Sequence, residues 1–250
     1  MKTVLVAFLL LFWLLPQALA SDHTNLEEGL PTELEDAYPI KFRSREFQGL
    51  IRYVDEGKEH RMVYRPIIEV GILPNTQFNL SGTFYSGNVD REGSGEVSAS
   101  VFYNFNTESV AIPAVSLAVE ADFPSGVRSA GVDVTTKLIL SKMPVVRSTL
   151  LHRLHANLIW KRNAGIDEDE EREDQFKWIA GFSSRAGRDT SLIIDYVREQ
   201  KEKKGEDANL VEAGLRRQLT PFTLITAGAG VGFGDDSERY RVTVGFQHSF

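Results

Sequence analysis

The sequence predicts an all-β fold, a single antiparallel transmembrane β-barrel of about 12 strands with short turns at one end and longer loops at the other. Three observations predict it. Segments of about ten residues alternate between apolar and polar side chains, the connections between them alternate in length, and the alternation runs to the last residue in YRVTVGFQHSF. Beyond residue 20 no apolar run reaches the roughly 18 residues of a spanning helix, so a closed barrel is the remaining way to pair the backbone in a bilayer.

The first 20 residues have the features of a secretory signal peptide. Lys2 precedes the apolar run VLVAFLLLFWLL, and the small-residue site ALA ends at Ala20, where we predict cleavage. A retained transmembrane helix is the alternative, and it is disfavoured because Pro16 and Gln17 interrupt the run. No Cys lies at the cleavage site, so a lipoprotein is not expected.

Composition limits the classes of function. Loss of Lys2 takes the formal net charge from −7 to −8, and this acidic excess argues against nucleic acid as a partner. The chain has no Cys, which excludes disulfides, thiolate metal sites and a Cys nucleophile. It also has no zinc-ligand spacing, phosphate-binding loop or dinucleotide fingerprint. We therefore predict no cofactor and no metal.

Alternation and turn residues place the strands in order along the chain. They are expected at 46–55, 61–72, 76–86, 95–105, 110–121, 131–142, 148–161, 175–184, 190–200, 208–219, 222–233 and 238–250. Every second connection is short: LPNT, NTES, MPVVR, SRAGRD and TP. The others are longer and mostly charged: DEGKEH, SGNVDREGS, DFPSGVRSA, NAGIDEDEERED, EQKEKKGED and GDDSE. The short turns should face the periplasm, and an even strand number places both termini there.

Three strands illustrate the two faces. In strand 95–105 the apolar set, predicted to face lipid, is Val97, Ala99, Val101, Tyr103 and Phe105. Strand 175–184 has the corresponding set Phe176, Trp178, Ala180 and Phe182. In strand 222–233 the inward set is Thr226, Gly228, Gly230 and Gly232. Such glycines suit a strongly bent wall or a close approach by something in the lumen.

A soluble sandwich or lipocalin-like barrel would turn its apolar face inward and give the same alternation. The alternating loop lengths favour the membrane barrel, as do aromatic residues near strand ends, where girdles form in this class. These residues are Tyr103, Phe105, Trp160, Phe176, Trp178 and Tyr240.

The last strand resembles the C-terminal signature of bacterial outer-membrane barrels. It alternates Tyr240, Val244 and Phe246 with polar residues and ends on Phe250. The resemblance implies a place in the bacterial outer membrane, with membrane lipid, the barrel-insertion machinery and periplasmic chaperones as partners.

Two internal stretches, IIEVGILPNTQFNLSGTFY at 67–85 and SLAVEADFPSGVRSAGVDVTTKLILSK at 116–142, carry a second resemblance. They resemble the outer-membrane family named for the meta-pathway of phenol degradation, in which a Pro-x-Gly loop precedes a Gly-Asp pair and a Lys. The matching positions are Pro124, Gly126, Gly131, Asp133 and Lys137, with Val132 inserted between Gly and Asp. Membership would imply passage of small hydrophobic or aromatic compounds.

Alternation also predicts which charged and polar residues face the lumen. They are Arg52, Arg65, Glu69, Glu96, Glu120, Asp133, Lys137, Arg153, His155, Asn157, Lys161, Lys177, Asp195, Glu199, Glu212, Arg216, Arg239 and Arg241. Mixed signs in a lumen of this width suit either an interlocking salt-bridge network or a polar conduction path with local selectivity. Arg153, His155 and Asn157 form the most polar cluster on any strand and could line a constriction or be structural.

Two acidic stretches allow more than one interpretation. The run DEDEERED at 167–174 could capture divalent cations but is expected to be a solvated outer loop. Residues 21–45 are acidic and patternless, and they could form a plug, a short helix from Pro31 to Ala37 or a disordered periplasmic leader.

We expect a passive channel for small molecules rather than an enzyme. Ser148 and His152 share one predicted strand face, but no nucleophile elbow accompanies them. The alternatives are a lipid-modifying enzyme of the outer membrane and a closed structural barrel.

Overall fold

Twelve antiparallel strands close into one barrel, in which each strand pairs with its neighbours in sequence and β1 pairs with β12. The computed structural model describes residues 21–88, 93–125, 131–144, 151–164 and 171–250. The predicted signal peptide and residues 165–170, which include the first half of the acidic run 167–174, lie outside the described residues. The strands are β1 Arg45–Asp55, β2 His60–Leu73, β3 Thr76–Gly87, β4 Gly93–Asn106, β5 Ala114–Phe123, β6 Asp133–Lys142, β7 Arg153–Arg162, β8 Asp174–Arg185, β9 Thr190–Gln200, β10 Asp207–Thr220, β11 Thr223–Phe233 and β12 Tyr240–Ser249.

The predicted strand boundaries fail clearly at two places. β5 begins at Ala114 instead of residue 110, because Pro113 cannot donate to a ladder and Ser109 forms a turn with Ile112 (N to O, 2.9 Å). β7 begins at Arg153 instead of residue 148, and residues 145–150 lie outside the described part of the chain. The other strands agree within two residues at each end, as expected where alternation is regular.

The distribution of side chains distinguishes the two kinds of barrel that the sequence allows. The outer surface is apolar, with Phe105, Leu158 and Phe176 each more than 50% exposed. The inner surface is polar, and Glu212 and Arg216 are at most 1% exposed. A soluble barrel would bury the first set, so the structure has the inverted arrangement of a membrane barrel. All six predicted girdle aromatics lie on the outer surface.

The C-terminal strand closes the barrel. Its outward side chains Val244 and Phe246 are exposed, and Phe246 packs edge-on against Phe47 of β1 with ring centroids 5.7 Å apart. The Phe250 amide donates to the Arg45 carbonyl at 3.0 Å, one residue beyond the ladder between β1 and β12. Alternation to the last residue is therefore explained by the position of β12 between β11 and β1.

Residues 21–44 are here called the luminal segment. The part up to Ile40 lies mostly buried inside the barrel, and Lys41, Phe42 and Arg43 are exposed. Leu26 and Leu34 pack in a buried cluster with wall residues of β7 to β10, and Ala37 packs in a second cluster that includes Phe102. The segment is irregular, and the possible helix from Pro31 to Ala37 does not form. Within the described ranges no helix is long and apolar enough to cross a bilayer.

Candidate functional site

The wall of the barrel holds the luminal segment by its backbone. The amides of Glu33, Leu34, Glu35, Ala37 and Ile40 donate to wall side chains at 2.8–3.0 Å. The acceptors are, in the same order, Glu212 of β10, Asp195 of β9, Asn157 of β7, Ser141 of β6 and Gln77 of β3. These donors cannot also make helical bonds, which explains the irregular conformation. The segment thus follows the inner wall from β10 round to β3.

Glu33 is the centre of one ion network. Its carboxylate contacts Arg52 and lies 2.5 Å from the Lys177 ammonium and 3.5 Å from the Arg241 guanidinium. Arg241 also binds Glu212 at 2.6 Å. Burial alone raises the pKa of Glu33, but the three cations outweigh it and hold this pKa well below the ordinary range.

A second network is centred on Lys137. Its ammonium lies 2.5 Å from Glu28 and 3.8 Å from Glu35, while Arg65 bridges Glu28 at 3.8 Å and Glu120 at 3.7 Å. Burial raises the pKa of Glu28, yet Lys137 and Arg65 lower it to about 2. Burial raises the pKa of Glu35 to about 7, because the more distant Lys137 does not compensate for the loss of water. The two carboxylates therefore lose their protons in different pH ranges.

Leu30 and Pro31 press against the wall where it lacks side chains. A Cβ on Gly214 would lie 2.4 Å from Cγ of Pro31, and one on Gly228 would lie 2.8 Å from the Pro31 carbonyl oxygen. Arg216, fully buried, donates to the Leu30 carbonyl at 3.3 Å. Of the glycines predicted on the inner face of strand 222–233, Gly228 thus accommodates a close approach by the luminal segment.

The predicted cluster of Arg153, His155 and Asn157 faces the lumen, but its members have different partners. Asn157 binds both the amide and the carbonyl of Glu35, at 2.9 Å each. Arg153 pairs with Glu108 at 2.8 Å and lies over the ring of Tyr38. The cluster therefore anchors the segment and does not leave a free polar ring.

The His155 side chain lies between two hydroxyls. Nδ1 is 2.9 Å from Ser141 Oγ, and Nε2 is 3.2 Å from Ser183 Oγ. Ser141 Oγ also accepts a hydrogen bond from the Ala37 amide, and both Ser141 and His155 are buried. A buried serine already occupied by a backbone donor is not arranged as a nucleophile. The contacts of His155 with these two serines support a structural role for this side chain.

Most of the residues predicted to face the lumen lie on the inner wall. The structure directs toward the lumen Arg65, Glu69, Glu96, Asp133, Lys137, Arg153, His155, Asn157, Asp195, Glu212, Arg216 and Arg241. Asp133 pairs with Lys161 at 3.0 Å near the end with the longer loops. Arg239 was predicted to face inward and does not, because it precedes β12 and is exposed.

Sequence reasoning missed the acceptors that hold the segment at Gln77 and Ser141, which are ordinary polar positions in a strand. One signal was available. Residues 21–40 contain six Asp or Glu and no Lys or Arg, so a lumen containing cations complements them.

Cavities remain on both sides of the segment. One of about 300 Å³ opens near the termini of the barrel and is lined by residues that include Asp22, Tyr38 and Gln247. One of about 250 Å³ lies toward the longer loops. A third, smaller cavity of about 30 Å³ lies deeper and shares Glu28 and Lys137 with the second.

The described fold is similar to those of solved outer-membrane proteins. An outer-membrane channel from Pseudomonas putida F1 aligns with a TM-score of 0.65 at 10% identity, over 86% of this chain and 98% of that one. The NanC porin aligns with a TM-score of 0.58 at 11% identity, over 82% and 100%. The KdgM porin, in complex with disordered oligogalacturonate, aligns at 0.56 and 11%, over 83% and 99%. No family model and no curated protein matches the chain. The likeness shows that the chain has the outer-membrane β-barrel fold.

Proposed function

We propose that the protein is a passive channel for small solutes in the bacterial outer membrane, and that its luminal segment restricts the pore. The observation that carries this proposal is the pair of cavities, about 300 and 250 Å³, on either side of the segment in a closed polar lumen. Cavities of this size distinguish the lumen from one that side chains fill completely. The similarity to porin folds supports the same class of function.

While the luminal segment is bound to the wall, which we call the docked state, the lining of the cavities favours small polar solutes. The cavity toward the longer loops is lined by four cations and four carboxylates, namely Arg65, Lys137, Lys161, Lys177, Glu28, Glu120, Asp122 and Glu199. Such a lining disfavours apolar compounds, because entry would desolvate charges without giving them partners. Passage of hydrophobic or aromatic molecules rests on the resemblance to the phenol meta-pathway family and is a second substrate class to test.

Opening of the pore requires the segment to leave the wall. The contacts at Glu33, Glu35 and Ala37 lie between the two cavities, so solute flow increases when they break. The proposal includes export of the chain with cleavage after Ala20. It also includes insertion into the membrane directed by four residues of the C-terminal strand and end, Tyr240, Val244, Phe246 and Phe250. These four residues lie on the outer surface, where they are accessible to a partner.

A disulfide lock tests the proposal. Ser21 Oγ and Ser249 Oγ are 2.5 Å apart, and both side chains are buried. Because the chain has no Cys, a Ser21→Cys and Ser249→Cys pair would provide the only thiols. The closed bond would fix both ends of the segment at one rim, since residue 44 adjoins β1. The single variant Ser249→Cys is the control for the substitution itself.

Residues 21–250 would be refolded and inserted into planar bilayers. We expect rare, small conductance steps when the lock is oxidised and at least tenfold more open time after reduction, with no redox response in the control. Equal conductance in both redox states would show that solutes pass with the segment in place. Absence of any conductance in the wild type and in the reduced lock would refute the channel.

A further inference from the structure

Three buried carboxylates meet between the luminal segment and the wall. One oxygen from each of Glu27, Glu46 and Glu69 lies within 4.8 Å of the other two. All three side chains are buried, and Glu46 of β1 is directly opposite Glu69 of β2 in the strand register. Like charges opposite one another on a sheet are destabilising, so this trio requires compensation.

The lumen supplies little positive charge to these carboxylates. None of the ion pairs between residues that the structure describes includes Glu27, Glu46 or Glu69. The nearby Arg216 directs its guanidinium to the Leu30 carbonyl and the Gln247 amide oxygen. With all three carboxylates ionised, they and the one guanidinium would carry two net negative charges, which equal the charge of one divalent cation.

A neutral oxygen next to the trio points independently to a ligand. Gln48 is completely buried, and its Nε2 donates to Glu69 at 2.7 Å. Its Oε1 is buried and accepts no hydrogen bond from the described residues. The Gln48 side chain lines the cavity of about 30 Å³ together with Glu27 and Glu69. A buried amide oxygen with no donor at a polar cavity is the kind of group that a cation satisfies.

We propose that Glu27, Glu46, Glu69 and Gln48 bind one Ca²⁺ ion. Three atoms no more than 4.8 Å apart can all lie within about 2.8 Å of one point, close to the Ca–O distances of about 2.3–2.6 Å. Carboxylate and amide oxygens are the ligands that Ca²⁺ prefers, and it tolerates the irregular geometry that Mg²⁺ rejects. The ion joins the luminal segment, through Glu27, to the wall at β1 and β2.

The test is calcium titration of the full chain in detergent after removal of divalent ions with EGTA. Calorimetry with CaCl₂ should give one saturable site, and MgCl₂ should bind at least tenfold more weakly. Glu27→Gln and Glu69→Gln should each weaken Ca²⁺ binding at least tenfold. Glu96→Gln, a luminal carboxylate that does not line the 30 Å³ cavity, should leave it unchanged.

The variants also distinguish Ca²⁺ binding at this site from binding elsewhere on the protein and from the effects of misfolding. Glu27→Gln alters the segment and not the barrel wall, so circular dichroism should show an unchanged barrel. Ca²⁺ binding that persists in Glu27→Gln and Glu69→Gln would assign the ion to another site, such as the outer loops, and would overturn the proposal. Absence of saturable binding, or equal loss in all three variants, would overturn it as well.

Discussion

Substitution of Glu33 by glutamine should release the luminal segment from the wall. The change is isosteric and removes the carboxylate that Arg52, Lys177 and Arg241 share. In the variant, Arg241 retains its ion pair with Glu212 at 2.6 Å, and Arg52 retains its hydrogen bond to the Thr243 hydroxyl at 3.0 Å. The loss therefore falls mainly on Lys177, whose remaining carboxylate, Glu199, is 3.9 Å away, and on the charge of Arg52.

The magnitude follows from these contacts. Breaking a buried ion pair by removing one partner costs about 3–5 kcal/mol, and the remaining partners favour the lower end of the range. A cost of about 3 kcal/mol corresponds to a roughly 100-fold change in the docking equilibrium. The lowered pKa of Glu33 also indicates that the ionised carboxylate stabilises the docked segment. The stabilisation is present above the free-carboxyl pKa of 4.5 and is lost as the pH falls through the lower pKa of the docked state.

Hydrogen exchange of the amides of residues 33–37 measures docking directly, because several of them donate to the wall. At pH 6 we expect exchange in Glu33→Gln to be about 100-fold faster than in the wild type. Glu35→Gln is the matched control, since the pKa of Glu35 is raised to about 7 and its carboxyl is largely protonated at pH 6. Wild-type protection in Glu33→Gln, or equal loss in the two variants, would refute the reasoning.

The remaining predictions concern pH and the fit of the segment. Burial raises the pKa of both Glu35 and Asp36 to about 7, so the docked segment binds extra protons and docking should weaken as pH rises through 7. Exchange corrected for intrinsic rates should therefore be faster at pH 8 than at pH 5.5. A pH-independent result, or the same pH dependence in Glu35→Gln/Asp36→Asn, would contradict this assignment. Gly214→Ala should increase channel open time, because its Cβ would lie 2.4 Å from Pro31, whereas Gly82→Ala, with 3.6 Å to the nearest atom, should not. Equal open times in the two glycine variants would count against the packing argument.

The strands could be predicted from the sequence because two-residue periodicity is a local property. Val97 to Phe105 alternate on the outer face of β4 as the pattern indicates. The prediction failed where alternation continued beyond the sheet. Val110 and Ile112 extend the pattern of β5, but Pro113 and a turn separate them from it. Alternation also cannot distinguish an inward from an outward apolar face, and only the complete barrel does so.

The luminal segment could not be predicted in the same way. Its backbone pairs with side chains of five strands, and no sequence period describes that arrangement. The proximity of Glu27, Glu46 and Glu69 could not be predicted from the sequence either. Glu46 and Glu69 become neighbours through the register of β1 with β2, and Glu27 joins them through the path of the segment.

The cations of the lumen fall into two groups with different consequences for a channel. Lys161 pairs with Asp133 within the wall, and these contacts persist whether or not the segment is docked. Arg52, Lys137 and Lys177 have their shortest contacts with carboxylates of the segment. Release of residues 21–40 would remove six carboxylates and no Lys or Arg from the lumen, leaving these three cations facing the pore. Docked and released states therefore differ in charge as well as in width, and the released state is the one that favours anions.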